Sequence, residues 1–299
     1  MSRSKNQSMP AKMISPMSHA TQPAAAPIIT QRPGASHARY LDTLRPAGRS
    51  ARWRGWLLPA AAGLAWWGIT RHGSGHPGLL VSPLQVWQAA REQAASGSLA
   101  RALAASLSRE LIGFAIGTAG GLALGAALGL SSFARLLLGP SFNTFKQISL
   151  FAWIPLISVW FGLGDVAKIV FLSLAALIPV VTHVSEGIRQ VPLSLVEVAR
   201  TFGYRRGQLI LRVILPAALP SIFTGIYLAL IYSWLATLGA EYLLVAGSGI
   251  GNLLVDGSDQ FRMDLVLLGI VIVGSIGWAL NAIPRALERH GFAGARRAH

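Results

Sequence analysis

The 299-residue sequence contains no cysteine. Disulfides, thiol nucleophiles and cysteine-ligated metals are excluded, and the redox compartment is left open. Lysine is nearly as scarce. Lys5, Lys12, Lys146 and Lys168 are the whole set, and none follows a glycine. A phosphate-cradling loop of the form GxxxxGK[ST] cannot be built from them. HExxH and GxSxG are also missing. The chain is therefore expected to be no enzyme, to bind no metal and to hold no cofactor of its own. Charged residues make up 12%, about half the share in soluble domains.

Apolar residues are plentiful. They make up 53% of the chain, and the mean hydropathy is +0.51. These values belong to membrane proteins. The formal net charge is +15. In so apolar a chain, the anionic partner expected is a lipid surface, not a nucleic acid.

Residues 1–50 are rich in Pro, Ala, Ser and Arg, with Asp42 the only acid. They read as a disordered, basic cytoplasmic tail. A transit peptide is the alternative. A shorter basic tail covers 291–299. Between them, a membrane domain over 51–290 holds six apolar stretches, at about 53–70, 106–130, 135–162, 166–188, 217–246 and 264–284. Each is expected to span the bilayer as a helix, giving an all-α polytopic fold. "SPLQVWQAAREQAASGSLARALAAS" before the second stretch reads as an interfacial or extramembrane helix.

Basic residues set the orientation. With the N-terminus inside, the inner segments hold 19 Lys and Arg and the outer segments 6, including Arg109 and Lys168. Both termini and the insert at 190–216 are then cytoplasmic. The second stretch carries Gly113, Gly117, Gly121, Gly125 and Gly129. This spacing lines one helix face with glycine, which lets another helix approach closely.

The insert is the most polar part of the membrane domain. In "VPLSLVEVARTFG", Ser194 and Glu197 fit a capping box. Leu195, Val198, Ala199 and Phe202 share one face of a short helix. Gly203 stands where a left-handed C-terminal cap falls. "RRGQLILRVILP" starts a second helix that passes Pro216 and Pro220 into the fifth span.

The insert resembles the cytoplasmic loop of ABC importer permeases, whose signature is E-A-A, three residues, Gly, nine residues, an aliphatic, one residue, Leu-Pro. Glu197, Val198, Ala199, Gly203, Val213, Leu215 and Pro216 match it throughout, with valine for the middle alanine. "SPLQVWQAA", "QISLFAWIPLISVWFGLGDVAKI" and "GAEYLLVAGSGIGNLL" are similar to the nitrate, sulfonate and taurine branch. Ile148, Ser149 and Leu150 depart from it where relatives have a proline-rich element.

The resemblance implies a type I importer transmembrane domain, with six spans, working as a homodimer. Glu197, Ala199, Gly203, Tyr204, Arg205, Arg206, Leu215 and Pro216 would couple it to a separate ATPase subunit that binds the ATP. A soluble solute-binding protein would dock outside, and the location implied is a bacterial inner membrane. Aliphatic sulfonates are the first expected solute, with taurine and nitrate next. The rival class is a secondary transporter driven by an ion gradient.

Ionisable and aromatic side chains inside spans mark the candidate path: Lys146, Trp153 and Glu241. Snorkelling or pairing with Glu110, Glu186 or Glu241 is the alternative for Lys146, a packing hydrogen bond for Glu241, and packing for Trp153. The glycine-rich "AGSGIGNLLVDGSDQ" reads as a tight external turn.

Overall fold

The computed structural model describes residues 54–71 and 81–291. Both expected tails lie outside the described residues, apart from Gly291. The described residues fall in two units, with the boundary after Ala60.

The described residues hold helices and no strand. They are α1 (Arg54–Arg71), α2 (Pro83–Ala95), α3 (Ser98–Leu130), α4 (Ser132–Phe145), a 3-10 turn (Leu150–Trp153), α5 (Ile154–Phe161) and α6 (Asp165–Arg189). Then follow α7 (Leu193–Thr201), α8 (Arg206–Leu209), a π segment (Ile210–Ile214), α9 (Leu215–Leu243), α10 (Ile250–Asp259) and α11 (Met263–Gly291).

Four runs are long and apolar enough to cross a membrane: α3, α6, the continuous stretch Arg206–Leu243, and α11. A fifth is gained if the bent pair of α4 with Leu150–Phe161 counts as one span. Helix α1, with 18 residues and an arginine at each end, is not among them. The third apolar stretch is thus not one straight helix. It turns through 93° between Phe145 and Leu150. Hydropathy runs through the break, but the α-helical ladder does not: the Gln147, Ile148 and Ala152 N–H groups donate three residues back, to the carbonyls of Thr144, Phe145 and Ser149.

The polar stretch before the second span forms two helices. Ser82 caps α2, accepting from the Gln85 N–H, while the Gln85 side chain accepts from the Ser82 N–H at 2.8 Å. Gly97, at φ +69°, turns the chain into α3. Helix α3 starts earlier than expected. At 33 residues it is about 50 Å long, well beyond the roughly 30 Å of hydrocarbon.

Helix α6 is central. Of its most apolar window 56% is buried inside protein, against 17–28% for the other three runs. The glycine face of α3 packs along it. A Cβ on Gly113 would lie 2.6 Å from the Leu172 Cβ, on Gly121 2.7 Å from the Val180 Cβ, and on Gly129 2.9 Å from the Ile188 Cβ. On Gly117 it would overlap the Ser173 carbonyl. The stripe therefore does what its spacing implied. Another face of α6 packs on α9 through Phe171, Ala175, Ala229, Ala236 and Ala240.

Candidate functional sites

The insert lies between α6 and the run α8–α9. Pro192 stands at the N-cap of α7, and no side chain caps that end. The box expected from Ser194 and Glu197 is not formed, because α7 begins two residues too early: Leu193 is already helical and Ser194 lies inside the first turn. Glu197 is exposed. The C-terminal end is as expected. Gly203 has φ +76°. Its N–H donates to the Arg200 carbonyl at 2.9 Å, and the Tyr204 N–H donates to the Ala199 carbonyl at 3.2 Å. This pair of bonds is a Schellman cap, which closes a helix through a left-handed residue.

Ala199 is buried, and Val196 packs with Val191 and Ile222 at the base of α6 and α9. The rest of the apolar surface of α7 finds no cover among the described residues. Leu193 is 75% exposed, Val198 54% and Phe202 77%. Arg200, Arg205, Arg206 and Arg212 surround it, exposed and in no ion pair among the described residues. The Arg205 N–H donates to the Gln208 side chain at 3.0 Å, fixing the entry into α8. The π segment then ends at Leu215, just before Pro216, which lacks the N–H that an α-helical ladder would need. Leu215 is partly exposed at this joint.

The end of the bundle away from the insert holds a buried polar cluster. The Arg109 guanidinium on α3 donates through Nη1 to Glu241 Oε1 on α9 at 2.6 Å. Asp165, at the start of α6, lies 2.7 Å from Arg109 Nε as an ion pair. The Ser106 hydroxyl donates to Glu241 Oε1 at 2.7 Å, and the Gly251 N–H to Oε2 at 2.7 Å. Arg109 Nη2 also donates to the Ser248 carbonyl, and Lys168 Nζ donates to that of Ala246 at 2.8 Å. Arg109, Lys168 and Glu241 are all buried. Together they pin the glycine-rich link from α9 to α10. A Cβ on Gly249 or Gly251 would strike the Glu241 side chain, so that link needs glycine there. This segment was expected as a turn. It continues as the ten-residue helix α10 because Ile250 and Asn252 find buried places.

Arg109 and Lys168, expected among the outer loop charges, are thus interior residues. Their signal was an unmatched Glu241 in an apolar run, since a buried carboxylate requires a partner. One turn away, Glu110 is also buried, and it accepts from the Ser233 and Thr237 hydroxyls at 2.5 and 2.9 Å.

Lys146 is not inside a straight span. It ends α4 at the break and is exposed, with its Nζ 6.0 Å from the Phe142 ring centre. It pairs with none of Glu110, Glu186 and Glu241. Trp153 is half-buried and packs on Phe145, ring centres 5.1 Å apart. Lys146 and Glu241 are therefore not brought together. No group of metal-ligating side chains occurs among the described residues.

The chain is a multi-pass helical membrane protein with a short amphipathic helix seated on the base of its bundle and ended by a glycine cap. The chain belongs to the family of binding-protein-dependent transport system inner membrane components, whose model matches residues 117–290. It is 38% identical over 154 residues to SsuC of Bacillus subtilis, a permease named for aliphatic sulfonates; the match covers 52% of this chain and 55% of that one. It is 34% identical over 160 residues to the taurine transport system permease TauC of Escherichia coli, covering 54% and 58%. It is 33% identical over 153 residues to the bicarbonate transport system permease CmpB of Synechococcus elongatus, covering 51% and 55%. The chain thus spans just over half the length of these relatives. A solved amino acid ABC transporter with histidines shares the fold at a TM-score of 0.56 and 17% identity, over 67% of this chain and 96% of that one.

Proposed function

We propose that the chain is the membrane-spanning subunit of an ATP-driven importer of small anionic solutes. The observation that carries this reading is α7: uncovered Leu193, Val198 and Phe202 on a helix too short to stand alone in water, held at the base of α6 and α9. A separate ATPase subunit covers that face, and its closure moves α7 and, through the π segment and Pro216, the long helix α9. A soluble binding protein delivers the solute at the opposite end. Two copies of the chain enclose the path in a bacterial inner membrane, with both termini and the insert cytoplasmic.

Aliphatic sulfonates are the first solute in this reading. Support comes from the relatives, which carry names for sulfonates, taurine and bicarbonate. Glu241 acts as a support: its carboxylate is already matched by Arg109, which leaves it no free role in ion coupling.

The test is reconstitution. Proteoliposomes holding the chain and its ATPase subunit, given ATP and binding protein loaded with ethanesulfonate, should accumulate the sulfonate. Accumulation driven by a proton or sodium gradient without ATP would replace this reading with a secondary transporter. ATP-driven uptake of taurine or nitrate in preference to sulfonate would keep the importer and change its solute.

A further inference from the structure

Resting on that reading, the geometry points to Lys146 as the anion-selecting residue of an internal station on the route, at the junction of two cavities that the break after α4 opens. The larger cavity has a volume of about 590 Å³ and lies between the break, the middle of α6 and the middle of α9. That is within the range of roughly 300–1,000 Å³ of small-molecule sites. Lys146, Gln147, Ser149, His183 and Tyr232 supply its polar wall, against an apolar wall that includes Ile178. The smaller cavity, about 90 Å³, lies toward the insert and is lined by Arg135, Asn143, Lys146, Glu186 and Arg189 among others. Lys146 and Thr182 line both.

Charge decides what could rest there. In the larger cavity Lys146 is the only permanent charge, with His183 and Tyr232 the other titratable groups. In the smaller one, Arg135, Lys146 and Arg189 stand against Glu186 alone. None of these four forms an ion pair among the described residues. An ammonium within a membrane bundle that has no carboxylate partner is costly unless water or an anion reaches it.

The hydroxyls on α6 do not compete for the role. Thr182 donates to the Ile178 carbonyl at 3.0 Å, and Ser185 donates to that of Thr182 at 3.1 Å. The donors left are the Lys146 ammonium, the guanidiniums of Arg135 and Arg189, the amides of Gln147 and Asn143, the Ser149 and Tyr232 hydroxyls and the His183 imidazole. They suit a small solute with net negative charge and several acceptor oxygens: a sulfonate, nitrate or bicarbonate. A zwitterion would bring an ammonium that meets a carboxylate only at Glu186.

The test uses the natural absence of cysteine. Ser149→Cys places one thiol per copy of the chain in the larger cavity of the complete importer. It is reacted with the anionic sulfonatoethyl and the cationic trimethylammonioethyl methanethiosulfonates, each rate scaled to a free thiol. The anionic reagent should be favoured. Adding Lys146→Gln should lower the anionic-to-cationic ratio about tenfold, and Lys146→Arg should keep it. Ethanesulfonate, nitrate or bicarbonate should slow the labelling, whichever is the solute, and taurine should not. In transport, Lys146→Gln should cut anion uptake about tenfold, the loss of one charge-assisted contact, while loaded binding protein still stimulates ATP hydrolysis. An unchanged ratio in Lys146→Gln, a thiol inert to both reagents, or protection by taurine equal to that by ethanesulfonate overturns the proposal. Absence of stimulated ATP hydrolysis in the parent importer fails the importer reading instead, and leaves the labelling ratio as an independent result.

Discussion

Arg109 and Glu241 meet at 2.6 Å although 132 positions separate them in the chain. Their pair ties α3 to α9 at the end of the bundle away from the insert, and both side chains are buried. Removing one partner leaves an unmatched charge, which costs about 3–5 kcal/mol. Arg109→Leu should therefore lower the thermal midpoint in detergent markedly and expose the 245–252 link to protease. Arg109→Leu with Glu241→Leu should recover part of the loss. A double variant worse than Arg109→Leu would show that the pair is not the anchor described.

The glycine face of α3 admits a control within itself. A Cβ on Gly121 would lie 2.7 Å from the Val180 Cβ, whereas one on Gly120 would meet the Leu177 Cδ1 at 3.6 Å, an ordinary contact. Gly121→Val should force α3 from α6, at about 1–3 kcal/mol or more. Gly120→Ala should change little. The readout is membrane level and thermal midpoint, and equal behaviour of the two variants would contradict the packing.

Topology can be read directly. A reporter fused after Arg206 should behave as cytoplasmic, and one near Gly257 as external. Opposite results at the two sites would invert the orientation and remove α7 from the ATPase.

Glu197 gives a prediction by what it does not do. It is exposed and caps nothing, so Glu197→Ala should leave membrane level and thermal midpoint unchanged. A loss of ATPase stimulation in that variant would then report contact with the partner subunit. A drop in midpoint would mean that the glutamate supports α7 after all.

The insert and the glycine stripe were legible because spacing alone defines them. Gly203 follows a two-turn apolar pattern at cap distance, and five glycines at intervals of four fall on one face whatever the neighbour. The bend after Phe145 was not legible, because apolar residues continue through it. The buried cluster was hidden for a different reason. Arg109 lies near the start of the second apolar stretch and Lys168 near the start of the fourth, where charge normally marks a loop, and only the fold brings Glu241 between Ser106, Arg109 and Gly251. The capping box at Ser194 and Glu197 matched in pattern but failed in register, since Pro192 sets the start of α7 two residues earlier.

The central claim, that α7 is the joint to an ATPase, is tested most directly at Gly203. Its φ of +76° suits glycine, and open space surrounds it, so a substitution acts through the backbone alone. Gly203→Val should cost the cap about 1–2 kcal/mol and shift Tyr204, Arg205 and Arg206, while Gly203→Asn should be tolerated. The measurement is ATP hydrolysis by the complete importer with and without loaded binding protein, at matched membrane levels. The account predicts that stimulation is lost or strongly reduced in Gly203→Val and retained in Gly203→Asn. Full stimulation in Gly203→Val would mean that the insert is only a linker, and would contradict the account.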